Sequence, residues 1–165
     1  MGKYVLDKLL DIREKRQDEL VHQVATAKAA TLDAQAQLEQ EKQALKEFEK
    51  QKPERQNKLY AAVMNQVVQR KQLDALKLAL AELEQEHLAA KERVEQAENM
   101  LRQRQQEQEQ LQQELIDATK NKMKLDIHKE EWLEEDRKQE EHKAESDMED
   151  LAKGINSVGD DDDSI

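Results

Sequence analysis

Apolar residues recur along this 165-residue chain at alternating steps of three and four positions. From Leu6 the steps fall on Leu10, Arg13, Gln17, Leu20, Val24, Ala27, Thr31, Ala34, Leu38, Glu41, Leu45 and Phe48, and nine of these thirteen positions are apolar. A second series is longer: Leu73, Leu76, Leu80, Leu83, His87, Ala90, Val94, Ala97, Leu101, Arg104, Gln108, Leu111, Leu115, Ala118, Lys122, Leu125, Lys129 and Trp132, thirteen of eighteen apolar. A repeat of 3.5 residues kept up this long predicts a left-handed coiled coil, and so narrow a stripe can be covered by one partner helix. Strand signals are missing, because β-branched and aromatic residues do not alternate between turn residues. The predicted fold is all-α and has no compact core.

The phase passes from one series to the next through Leu59, Ala62, Gln66 and Gln69 without a skip, so periodicity alone does not place a turn. Pro53 is one candidate, since proline removes a backbone donor and costs about 3 kcal/mol inside a helix. A turn there would leave Leu101 to Trp132 without a partner. A turn at 65–71 uses both seams to their ends: residue i then faces about 136 minus i, which sets Leu10 beside Leu125, Leu20 beside Leu115, Val24 beside Leu111 and Phe48 near Leu88. Asn65 suits a left-handed helix stop. The expected fold class is therefore a long antiparallel two-helix coiled-coil hairpin, an elongated rod with arms on the order of 90 Å. Its parts are a first arm at 1–64 with a kink or break near Pro53, a tip at 65–71, a second arm at 72–153, and a disordered acidic tail at 154–165 that holds four consecutive Asp.

Composition narrows what such a fold does. Charged residues make up 39% and aromatic residues 2%, and the net charge is -11. That charge is uneven: residues 1–70 carry 13 basic and 11 acidic groups, whereas residues 71–165 carry 14 and 27. The acidic second half would repel phosphate, which argues against nucleic acid as a partner. There is no Cys, hence no disulfide and no thiolate metal site. No apolar run approaches the roughly 20 residues of a membrane span, and the N-terminus matches neither a signal peptide nor the myristoylation pattern, so no membrane insertion is expected.

Candidate chemistry is sparse. Two Glu-x-x-His pairs, Glu19 with His22 and Glu84 with His87, have the spacing used by di-iron carboxylate bundles. In the hairpin register they fall about 50 Å apart, too far to share a metal. No nucleophile with an adjacent base and no Gly-rich phosphate loop occurs, and a two-helix hairpin offers no cavity for them. No enzymatic activity, cofactor or metal is expected. The basic cluster Arg13 to Arg16 and the segment from His128 to Trp132 are placed together at the open end, with Trp132 set to pack near Tyr4. Tyr60, Val63, Met64, Val67 and Val68 gather more apolar surface at the tip than two crossing helices can cover.

Three segments resemble the FliJ and YscO family of flagellar and injectisome type III export. "YVLDKLLDIREKRQDEL" is similar to that family's opening, with its Ile-Arg-Glu-Lys-Arg cluster. "PERQNKLYAAVMNQVVQRKQLDALKLALAELEQ" is similar to its Arg-x-x-x-Leu-Tyr segment, variable tip and Leu-Asp start of a second helix. "WLEEDRKQEEHKAESDMEDLA" is similar to its acidic C-terminus. The resemblance implies a cytoplasmic central stalk at the cytosolic face of the inner-membrane secretion apparatus, linking the hexameric export ATPase to the cytosolic domain of the export gate, a nonameric ring. Export chaperones are further implied partners. Carried onto this sequence, the ATPase-binding end is Leu6, Leu10, Arg13, Lys15, Arg16 and Trp132. The gate-binding tip is Leu59, Tyr60, Val63, Met64, Val67, Arg70 and Leu73. The periodic pattern also fits a parallel dimer of one continuous helix, and the apolar tip fits a tentacle-like holdase chaperone; the flagellar paralogue is a variant of the leading reading.

Overall fold

A computed structural model describes residues 3–158. Two helices account for nearly all of them, α1 over Asp7–Ala61 and α2 over Arg70–Val158. They pack against each other in antiparallel sense as a helical hairpin, so the chain is not one continuous helix. Both helices run without interruption, in keeping with a sequence rich in Leu, Ala, Glu, Gln and Lys, which lose little rotamer freedom on a helix.

The seam read from the sequence is the surface the helices bury. All thirteen positions from Leu6 to Phe48 are at least partly covered, and of the eighteen from Leu73 to Trp132 only Leu73 is exposed. Contacts fall into two compact units. In the first, residues up to Leu20 meet residues from Glu114 onward. There Lys129 donates to Asp7 at 2.8 Å, Gln17 donates to Thr119 at 3.2 Å, and the Tyr4 and Trp132 rings lie 5.5 Å apart. In the second, Val21–Gln113, Thr31 donates to the Arg104 carbonyl at 3.3 Å and Lys52 pairs with Glu84 at 2.6 Å. Every one of these pairs lies within one residue of the rule that i faces 136 minus i.

Packing along the seam alternates large and small side chains. Leu20, Val24, Leu38 and Leu83 are buried, as are Ala34, Ala90 and Ala97, and the register sets Leu38 opposite Ala97 and Leu45 opposite Ala90. Large facing small lets two helices interdigitate without voids. No polar side chain among the described residues is fully buried. Gln17, Thr31 and His87 at polar seam positions bury their stems and find partners on the facing helix or at its edge.

The hairpin turns without glycine or proline. Past Ala61 the backbone tightens, the amides of Val63 and Met64 both donating to the Tyr60 carbonyl at 3.1 and 2.9 Å, and Asn65 then takes a left-handed conformation with φ of 60°. Asn reaches that region more cheaply than most residues. The second helix is started by Gln69, whose amide donates to the Gln72 side chain at 3.0 Å, half of a reciprocal cap. The non-helical stretch is thus 62–69, against the 65–71 expected.

Of the kink or break expected near Pro53, the break does not occur: Pro53 lies inside α1, which continues through it. Lys52 and Arg55, on either side, are tied across to Glu84 and Glu86, and these ties hold the first helix against the second where the proline withholds a hydrogen bond. Helix was also expected to end near Lys153, but α2 reaches Val158, so residues 154–158 of the expected disordered tail are helical. The rest of that tail, 159–165, lies outside the described residues.

Candidate partner-binding surfaces

The residues named for the gate-binding tip all belong to the second unit. Leu59 and Val63 are partly covered and, with Ala62, Ala75, Leu76 and Ala79, line an open apolar groove where the helices diverge. Tyr60, Met64, Val67 and Leu73 stand out from it, Val67 fully exposed and Met64 66% exposed. Arg70 opens α2 and is exposed. The turn explains this exposure, because unwinding at residue 62 removes the facing helix that would cover these side chains. Leu78, 62% exposed and off the seam, extends the apolar surface and was not picked out from the sequence.

Behind the tip a polar cluster fixes the pairing. Lys52 donates to Glu84 and, at 3.1 Å, to Nδ1 of His87. An ammonium group only donates, so His87 must accept at Nδ1 and carry its proton on Nε2, from which it donates to Glu49 at 3.0 Å. Phe48 stacks on the imidazole with centroids 5.6 Å apart, and Arg55 sits over the Phe48 ring while binding Glu86 through both terminal nitrogens, at 2.8 and 3.3 Å. Hydrogen bonding from Lys52 lowers the Glu84 carboxyl below its ordinary value, and Arg55 does the same for Glu86; the Glu86 bond in turn raises Arg55. One of the two Glu-x-x-His pairs is thereby absorbed into a cross-helix clamp. Glu19 of the other pair binds Arg16. Among the described residues no group of three or more His, Asp or Glu could hold a metal ion.

The residues named for the ATPase-binding end lie in the first unit and divide by exposure. Leu6, Leu10 and Trp132 turn partly into the seam. Arg13 occupies a seam position, its stem packed and its Nε buried without a hydrogen-bond partner. Lys15 and Arg16 are exposed, and Arg16 reaches Glu19 at 3.4 Å and Glu114 at 3.6 Å. Tyr4 closes this region, buried against Trp132 and His128, with its hydroxyl hydrogen-bonded to His128 Nδ1. Beside it, the bond to Asp7 raises the Lys129 ammonium above its ordinary value. Two exposed apolar residues, Val5 and Ile12, join Lys15 and Arg16 on the accessible surface. They were missed because they fall off the 3-4 seam, and only exposure distinguishes them.

No described helix is long and apolar enough to cross a membrane. The arrangement is that of a helical hairpin with exposed apolar side chains at its turn and the exposed Lys15 and Arg16 on the first turns of α1. Residues 6–154 match the family model described as type III secretion protein YscO, and the chain belongs to the YscO family of type III secretion proteins. It is similar to a crystal structure of the type III secretion protein YscO from Vibrio parahaemolyticus, with a TM-score of 0.84, 23% identity, and coverage of 88% of this chain and 91% of that one. It is also similar to a putative YscO homologue from Chlamydia trachomatis, with a TM-score of 0.79, 18% identity, and coverage of 98% and 99%. At these identities the two structures speak for the fold. No curated protein matches the sequence.

Proposed function

We propose that the chain is the central stalk of an injectisome export apparatus, cytoplasmic and bound at the inner-membrane secretion machinery, where it links the hexameric export ATPase to the cytosolic ring of the export gate. The observation that carries this reading is membership of a type III secretion family over 6–154 in a fold with two chemically unlike surfaces. Leu6, Leu10, Arg13, Lys15, Arg16 and Trp132 are assigned to the ATPase. Lys15 and Arg16 meet it directly, while Leu6, Leu10 and Trp132 hold the start of α1 against α2. Leu59, Tyr60, Val63, Met64, Val67, Arg70 and Leu73 are assigned to the gate. An apolar patch supplies contact area, and a basic rim supplies steering and orientation.

The test is co-purification with the export ATPase and the gate's cytosolic domain of the same system, together with the ATPase rate on mixing. Binding of both is expected, with faster hydrolysis. Lys15→Glu with Arg16→Glu is expected to weaken the ATPase interaction, and Met64→Ser with Val67→Ser the gate interaction, each leaving the other intact. A chain that binds neither protein is not such a stalk.

A further inference from the structure

The two helices are unequal, 55 residues against 89, and the excess lies at the C-terminal end of α2. Tyr4 packs on Trp132, and from Arg137 to Ser157 every residue is exposed. This extension is nevertheless not uniformly polar. Ala144, Met148, Leu151 and Ile155 follow one another at steps of four, three and four, and Met148, Leu151 and Ile155 are 72%, 68% and 72% exposed. That is the spacing of a coiled-coil seam with nothing on it.

The stripe is not a continuation of the hairpin seam. Stepping on from Trp132 reaches Asp136, Gln139, Lys143 and Ser146, all polar. At 3.6 residues per turn the new stripe is centred about 130° around the helix from Trp132. A longer first helix would therefore not cover it.

Its borders indicate what would. Glu145 and Asp147 flank the stripe on either side, and neither joins an ion pair among the described residues. Residues 134–153 carry nine acidic and four basic groups, and the sequence beyond adds four Asp. A second copy of the chain would set acidic flank against acidic flank. A helix lined with Lys or Arg at the same positions would pair with them while burying its own apolar stripe.

We propose that residues 144–155 form a docking face for a basic amphipathic helix of a partner protein. The extension has no facing helix to add packing, which supplies most helical stability in proteins, and Arg137, bonded to Glu134 and Glu141, supports only its first turns. A partner would thus stabilise the helix on which it docks. This surface is separate from Lys15 and Arg16, so its loss and the loss of ATPase binding are read independently.

The probe is a labelled synthetic peptide of about three heptads, with Leu and Ile at the 3-4 positions and Lys flanking them, titrated into the full chain and followed by anisotropy. Controls are a scramble of the same composition and a version with Glu flanks. The patterned Lys peptide is expected to bind at least about tenfold more tightly than either control. Met148→Ser with Leu151→Ser and Ile155→Ser should abolish that advantage without changing the melting of the hairpin, and Glu145→Lys with Asp147→Lys should transfer the preference to the Glu peptide. Equal binding of patterned and scrambled peptides would overturn the proposal, since charge alone would then suffice. So would a dimer in sedimentation that dissociates in the triple Ser variant, because a second copy would then be the occupant.

Discussion

Residues 73–132 and 137–157 belong to one helix and are built from the same polar alphabet, yet the first stretch is covered along its seam and the second is bare. Two things separate them: the first stretch has α1 opposite it while the second lies past the start of α1, and the second, poorer in apolar residues, also turns its stripe to another side of the helix. A periodic pattern thus has two meanings. In register with a facing helix it is structure, and out of register it is surface left for another molecule.

The largest break in this contrast is a buried leucine in the covered part of the hairpin. Leu20, 1% exposed, is expected to cost about 2–5 kcal/mol as Leu20→Ala, whereas Leu151→Ala should stay within about 0.5 kcal/mol. Chemical denaturation followed by circular dichroism measures both, and equal effects would mean that the extension is packed after all. Next in size is the turn that brings α1 onto the covered stretch. Asn65→Val forces a β-branched residue to a φ of 60° and should cost about 1–2 kcal/mol, while Asn65→Gly should not.

Acid sharpens the comparison further. Glu84 and Glu86 are lowered by Lys52 and Arg55, so the stability they contribute is complete above the ordinary carboxylate value of about 4.3 and is lost as pH falls through their depressed values. These groups are at the surface, so the loss is small. A melting series through that range should show it, and Lys52→Met should remove the Glu84 part alone. Lys129 has the opposite sign: raised by Asp7, it stabilises below about pH 10.4 and its contribution disappears as pH climbs through the raised value. The smallest effect is Gly154→Ala. An added methyl there meets nothing within 4 Å, and the extension should gain about 0.5–1 kcal/mol of helix stability, visible as slower amide exchange over 140–157 with the hairpin melt unchanged.

Much of the fold was legible because one rule carried it. Equal use of both seams gave the register, which holds from the Asp7–Lys129 pair to the Lys52–Glu84 pair, and it anticipated that Arg13, Gln17 and His87 would sit in the seam despite their polarity. That the helix runs on through Pro53 without a break was not legible, because propensity is local, whereas the clamp through Lys52, Arg55 and His87 joins residues more than thirty positions apart. The end of α2 was set too early because the composition of 154–165, with its four consecutive Asp, reads as disordered from its first residue, whereas the helix runs on through Gly154 to Val158. The surfaces were harder to see. Exposure of Ile12 and Leu78 depends on which side of each helix the partner leaves open, and a seam count does not contain that.

The polar positions within the seam have a mechanical consequence. A purely apolar interface between two helices can slide by a heptad and recover most of its contacts, since each leucine meets another. Here Gln17 is fitted to Thr119, Thr31 to the Arg104 carbonyl, and His87 to both Lys52 and Glu49. A slip by seven residues breaks all of these together, and it carries His87 from Lys52 and Glu49 onto Leu45 and Lys42 or onto Leu59 and Gln56. Helices keyed in this way resist shear, so a force applied to one of them is carried by its neighbour rather than lost in slippage.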